Sequence, residues 1–317
     1  MFIPEAVSKL HRDLIYKPSR HRILANDPGV TVTMSDEEEI RLQPLNQSRR
    51  PNKRKSLQRL LQLLQEGRDW SNINPFLEGM QMAGEKFPPG YMERLVRRAH
   101  EQDMRGAIIR LAGEVKKTGF SLSDPTITRE IMIGIHRAAA KSGFKGEAYE
   151  RAARDARQIT SLLEKREHCG DGKSFKPGDG DMRYDLTVLG VILELRAADP
   201  NHTIHTTWSG FESIPKLVAR IRMLRLQRGL LETVSSRQDE QDLARVRFKM
   251  ENLLPLWIGT KFALGVEEVR SSGLEDGLIE LRDVLARSIE DARRVVEAAS
   301  EGRTLRCLEM YNDVKEF

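Results

Sequence analysis

From Ser56 almost to its end, the chain is a ladder of apolar stripes at three- and four-residue spacing, cut at short intervals by Gly, Pro or Asp. Leu57, Leu60, Leu61 and Leu64 fall at i, i+3, i+4 and i+7, and Gly67 stands where such a helix ends. "NPFLEGMQMAGEK", "PPGYMERLVRRAHE", "MRGAIIRLAGEVKKTG", "DPTITREIMIGIHRAAAKSG" and "GEAYERAARDARQITSLLEKREHCG" continue the pattern. A strand alternates its faces residue by residue, so stripes of this period cannot sit as sheet. The breaks are too short for crossovers and predict antiparallel helical hairpins. The fold class read from this is all-α.

Two stretches resemble each other. One starts at Phe87 and the other at Ser123, each with a Pro expected at a helix N-terminus, and these prolines, Pro88 and Pro125, lie 37 residues apart. Two helices per unit at a period of roughly 35 is the mark of an α-solenoid. A third unit would begin at "DMRYDLTVLGVILELRAAD" (181–199). Glycine-rich 171–183 reads as a loop, 198–215 as a second connector, and 215–229 as a basic helix. From Glu267 to Gly302 there are ten Asp or Glu against five Arg, so the back of the chain is acidic.

The N-terminal part differs. Residues 4–15 read as a short amphipathic helix carrying Val7, Leu10 and Leu14. Residues 16–44 show no helical period and are expected to run extended, with a turn at Asn26-Asp27-Pro28-Gly29 and a short strand at 30–33. The domain plan is therefore an extended arm over 1–55, a helical-hairpin region over 56–200 and a C-terminal helical region over 201–317.

Several functions are disfavoured. Two cysteines, Cys169 and Cys307, are too few for a disulfide framework and point to a reducing compartment. No apolar run reaches the roughly 18 residues of a membrane helix. "LLPLWIGTKFALGV" is too short and carries Pro255 and Lys261. His168, Cys169, His202 and His205 do not match structural zinc spacing. No P-loop lysine motif, GxGxxG or GxSxG is present, and "GDGKSFKPGDGD" resembles a phosphate loop only in composition. The expectation is no catalytic residue, no metal, no cofactor and no small-molecule substrate. "DEEE" (36–39) reads as a solvated acidic run, and Trp70, Trp208 and Trp257 as core or interface anchors.

Charge carries the functional signal. The net charge is only +5, but Arg41, Arg49, Arg50, Lys53, Arg54, Lys55 and Arg59 form a run of seven cations with no acidic residue between them. Such a segment, held extended by Pro51 up to the helix, can follow a phosphate backbone and release its counterions. The same letters fit a nuclear localisation signal or a solvated helix flank. Arg220, Arg222 and Arg225 on the helix 215–229 are further RNA-binding candidates, with a core helix carrying snorkelling arginines as the equal alternative.

In "YKPSRHRILANDPGVTVT", in "RRPNKRKSLQRLLQLLQEGRDWSNINPFLEGMQMA" and in the helical pairs after Pro88, the chain resembles a filamentous-fungal mitochondrial ribosomal protein with pentatricopeptide-like hairpins, over about residues 1–200. The resemblance implies a structural component of the mitochondrial ribosome in the matrix, on the large subunit, touching ribosomal RNA and neighbouring ribosomal proteins. Glu5 and Asp13 interrupt the acid-poor look of a presequence, and none is read in the chain. Pentatricopeptide readers place chosen polar residues at fixed points of each repeat. Residues Thr126 to Glu130 do not echo Pro89 to Glu93, so the hairpins read as architecture. A free RNA-binding factor in processing or translational activation, and a protein-only helical scaffold, are the alternatives.

Overall fold

In the computed structural model, helix starts sit where capping chemistry puts them. Asp124 accepts from the Thr126 N–H at 2.9 Å, with Pro125 in the first helical position, and opens α8 (Pro125–Lys141). Asp185 accepts from the N–H groups of Thr187 (2.9 Å) and Val188 (3.4 Å) and opens α10 (Leu186–Ala197). The structure describes residues 8–26, 30–33, 39–44, 53–65, 70–82, 84, 87, 90–169, 181–198, 213–228, 240–300 and 302–317. The described residues are overwhelmingly helical, as the sequence predicts.

They divide into two units, Met1–Pro89 with Lys116–Gly119, and Gly90–Val115 with Phe120–Phe317. The first unit contains α1 (Lys9–Tyr16), α2 (His21–Asn26), β1 (Thr31–Thr33), β2 (Glu39–Arg41), α3 (Lys53–Gln65) and α4 (Ile73–Met82). Ser8 caps α1, its hydroxyl accepting from the His11 N–H at 3.2 Å. The stretch expected to run extended does so at β1 and β2, which pair antiparallel with Thr31 opposite Arg41 and Val32 opposite Ile40. It does not at α2. There Leu24 joins Leu14, Ile15, Val32 and Leu42 in a small shared core, and that burial selects a helical turn that no period announced. The expected α1 stripe also differs, because Leu10 is 62% exposed and the inward residues are Leu14 and Ile15. Val7 and the turn residues Asp27 to Gly29 lie outside the described residues.

The second unit begins with α5 (Tyr91–Glu101), α6 (Arg105–Gly113), α8 and α9 (Gly146–Leu163); α7 (Val115–Thr118), which follows α6 in sequence, falls in the first unit from Lys116 on. The turns are as short as the sequence predicts, Gln102–Met104 and Ser142–Lys145. Both close alike: Met104 N–H reaches Ala99 O at 2.7 Å and Phe144 N–H reaches Ala139 O at 2.9 Å. Left-handed Asp103 (φ 56°) and Gly143 (φ 64°) permit these closures. Helix α5 packs on α8, and α6 on α9. Pro88 lies outside the described residues, so its expected place at a helix start has no counterpart here. Helix α10 forms where a third unit is expected and is buried on every side from Thr187 to Ala197.

Beyond it come α11 (Ile214–Arg228), α12 (Glu240–Ala263), α13 (Glu267–Ser271), α14 (Glu275–Ala299) and α15 (Arg306–Val314). Helix α12 runs through Pro255, which leaves the Glu251 carbonyl without its usual helical donor. Packing on both flanks, against α10 and α14, outweighs that loss. Cys169 and Cys307 are free and buried. Among the described residues no helix is long and apolar enough to cross a membrane.

Helices α10 and α12 cross closely at two glycines. A Cβ on Gly190 would stand 2.8 Å from the Leu256 Cα and N, and one on Gly259 would stand 3.0 Å from the Glu194 N and 3.1 Å from the Gly190 O. These are backbone atoms and cannot turn aside. Gly190→Ala is therefore expected to destabilise by about 2 kcal/mol, as overpacking does. Gly106→Ala, whose added methyl meets nothing nearer than 4.0 Å, should gain up to about 1 kcal/mol from helix propensity. Urea denaturation of the two variants checks this, and equal stabilisation by both would show that the crossing is loose.

Candidate nucleic-acid interface

The front cations are borne on two elements of the first unit. Arg41 lies on β2 opposite Thr31 and is exposed, while Val32 and Leu42 face inward. On α3, Lys55 and Arg59 are exposed while Leu57 and Leu64 are buried at 1% and 0%. One helix thus hides the predicted leucine face and shows its cations. Lys53 and Arg54 occupy the first turn of α3, which has no acidic residue. Arg49 and Arg50 lie outside the described residues. Cations at a helix N-terminus oppose its dipole, each by a few tenths to about 1 kcal/mol. The arrangement does not serve helix stability. The N-terminus of a helix is a place where an anion is favoured.

The candidates on α11 are placed differently. Ile214, Leu217, Ile221 and Leu224 are buried, so the apolar stripe is core. Arg220 lies 4.2 Å over the Tyr184 ring and donates to the Arg183 carbonyl at 3.4 Å. The Arg222 guanidinium lies so close over Gly277 that a Cβ there would meet its Cζ at 2.1 Å. Both arginines are half-buried within the second unit. The Arg225 side chain is outside the described part.

The imagined zinc ligands find other work. His168 is buried; its Nδ1 accepts from the Leu122 N–H and its Nε2–H donates to the Ala112 carbonyl, each at 3.0 Å. His202, His205 and the loop 170–180 lie outside the described residues, as does Trp208. Trp70 is buried, and half-buried Trp257 stacks on Tyr311 at 6.3 Å. Glu39 of the acidic run is exposed on β2.

Sequence reasoning missed an ionic cluster in the second unit. Glu130 is buried on α8 and receives Arg97 of α5 at 3.3 Å through each oxygen. Arg306 of α15 also donates to it, through Nη1 and, at 2.9 Å, through Nη2. Arg306 Nη2 further reaches Glu251 of α12 at 2.6 Å. Burial alone would push the Glu130 carboxyl up, but its hydrogen bonds to Arg306 and Arg97 hold it below the usual range. One signal was available: Glu130 interrupts the apolar run "TITREIMIGIH" at an inward position. Its partner Arg306 is 176 residues away and left no local trace. Neighbouring His100 is driven down to about 3 by burial and stays neutral, its ring flat against Gly134.

Residues 1–313 match the model of the family described as mitochondrial ribosomal protein mS27. The chain belongs to this family. Small ribosomal subunit protein mS27 of Neurospora crassa is 30% identical over 154 residues, 48% of this chain and 38% of that relative. The match therefore spans well under half the length of the curated relative. Membership supports the reading of a fungal mitochondrial ribosomal protein, places the chain in the mitochondrial matrix and makes it a structural protein, not an enzyme. The expectation of the large subunit is corrected, because the relative is named as a protein of the small one.

Removing one partner of a buried pair leaves an uncompensated charge, at about 3–5 kcal/mol. Arg306→Met is expected to cost about 3 kcal/mol, since Arg97 still serves Glu130. The pH dependence has a fixed sign. A depressed carboxyl stabilises the fold above its unfolded value, about 4.3, and loses that contribution as pH falls through the folded value. Glu130→Gln should therefore flatten the fall in stability on the acid side of about pH 4. Denaturant titrations across that range, showing parallel curves for variant and parent, would refute the assignment.

Proposed function

We propose that this chain is a structural protein of the small subunit of the mitochondrial ribosome, laying its basic front on ribosomal RNA and its helical hairpins against neighbouring ribosomal proteins. The observation that carries the RNA contact is α3, with Leu57 and Leu64 buried, Lys55 and Arg59 exposed and an all-cationic first turn. The family description supports the ribosomal setting, and the name of the Neurospora relative supports the small subunit. The binding segment includes Arg41, Arg49, Arg50, Lys53, Arg54, Lys55 and Arg59. Its contacts are to phosphate and carry no base preference. Arg220 and Arg222 are seated within their own unit and take no part in this contact. The hairpins are pentatricopeptide-like in form and architectural in role.

With about 4–6 phosphates neutralised, log affinity for duplex RNA should fall against log salt with a slope near −0.9 per contact. Reversing Arg49, Arg50, Lys53, Arg54 and Lys55 to Glu is expected to abolish stable association with the small-subunit particle while leaving helicity unchanged. Sucrose-gradient sedimentation of tagged protein from a mitochondrial lysate, with nuclease and high-salt arms, reads this out. Co-migration of the reversed variant with the particle through high salt would sink the proposal. A small nuclease-sensitive complex in the parent would instead mark a free RNA-binding factor, and a nuclease-resistant complex away from ribosomes a protein scaffold.

A further inference from the structure

The second unit has a cleft of about 270 Å³ between α5, α8, α12 and α15, and its chemistry is layered. Its floor is anionic and already satisfied: Glu130 and Glu251 are 7% and 11% exposed and engaged by Arg306. Its mouth is cationic. Arg97 is 41% exposed beside Glu93, and Arg129 is 31% exposed while bound to Asp185 at 2.7 Å. Arg247, the next cation on the lining, has no ion-pair partner among the described residues. Beside it Phe248 is 45% exposed, with the Arg129 guanidinium 5.7 Å from its ring centre. Phe248 thus has one guanidinium near its ring and still leaves much of its surface to solvent. The buried Arg306 Nε–H also lacks an acceptor, a shortfall that a ligand oxygen or water would relieve.

We propose that this cleft takes one unstacked nucleotide of single-stranded RNA, its phosphate on Arg247 and its base stacked on Phe248, an inference that rests on the RNA-contacting reading above. Guanidinium forks suit phosphate oxygens, and any base can stack on an exposed ring. An acidic protein segment would use the arginines but leave the ring idle. The volume sits near the lower limit of ligand pockets, enough for one planar ring with its phosphate.

The test uses the full chain, a labelled oligouridine and a duplex RNA of equal length, read by fluorescence anisotropy over a salt series. Phe248→Ala is expected to weaken oligouridine binding about ten-fold without changing the salt slope, and to leave duplex binding unchanged. Arg247→Gln should weaken binding and reduce the salt slope by about 1. Both positions are at least partly exposed, so folding is not at risk, and circular dichroism checks this. Each variant is repeated on a background with Lys53, Arg54 and Lys55 changed to Glu. Persistence of the Phe248 effect there supports the cleft independently of the front. Loss of binding from the front changes, with no effect of Phe248→Ala on either background, overturns the cleft and leaves the front standing. Oligouridine binding unaffected by Phe248→Ala, with oligoglutamate bound through Arg247, would assign the cleft to an acidic protein segment and overturn the proposal. No RNA binding by the parent would overturn both readings.

Discussion

The second unit depends on the approach of α10 to α12. Helix α10 is mostly apolar and is buried around its whole circumference, so its neighbours must close over it on every side. Gly190 and Gly259 let the α12 backbone come near enough to do so. From that contact the rest follows outward. Helix α8 covers α10 on another side, α14 lies along α12, and α15 bridges α12 and α8. The burial also explains the polar pair at this centre. His136 Nδ1 and the Glu194 carboxyl, both fully buried, meet at 2.8–2.9 Å. Burial drives the Glu194 carboxyl upward, and His136 pulls it partway back. The pair ties α8 to α10 within the core.

Charge is used in two ways along one chain. In the second unit most arginines are committed to nearby carboxylates, as with Arg105 on Asp155 at 2.8 Å and Arg293 on Glu290 and Glu297. The acidic excess of 267–302 is largely surface, and α14 buries an apolar seam through Leu278, Leu281, Leu285 and Ile289. The front has no acidic residue between Arg41 and Arg59 to play that part. The body is thus largely neutralised from within, while the front carries cations that its own segment does not balance.

The helix ladder was legible because its signals are local. Asp124-Pro125 and Asp185 mark starts, the spacing of Leu57 and Leu64 marks a buried face, and short breaks mark hairpins. What stayed hidden depends on partners distant in sequence. Helix α2 exists because Leu24 meets Leu14 and Val32. Pro255 is carried through a helix because its flanks are packed. Arg306 finds Glu130 across 176 residues. In the candidate RNA contact the front cations were legible, since a charge run needs no tertiary context. The stripe of α11 left a core helix and a phosphate-binding helix equally open, and its period could not say that Arg220 would lie on Tyr184.

The two thiols give this architecture a built-in gauge. Cys169, 6% exposed with its Sγ donating to the Leu163 carbonyl at 3.3 Å, and Cys307, fully covered on α15, both have their ionisation pushed up by burial. The thiolate is the reactive form, so both sulfurs are withheld from oxidants and alkylators while the helices stay shut. Cys169 follows the α9 end of the hairpins, whereas Cys307 lies beside the Arg306 clasp. The order in which they become modified therefore records which end of this unit opens first.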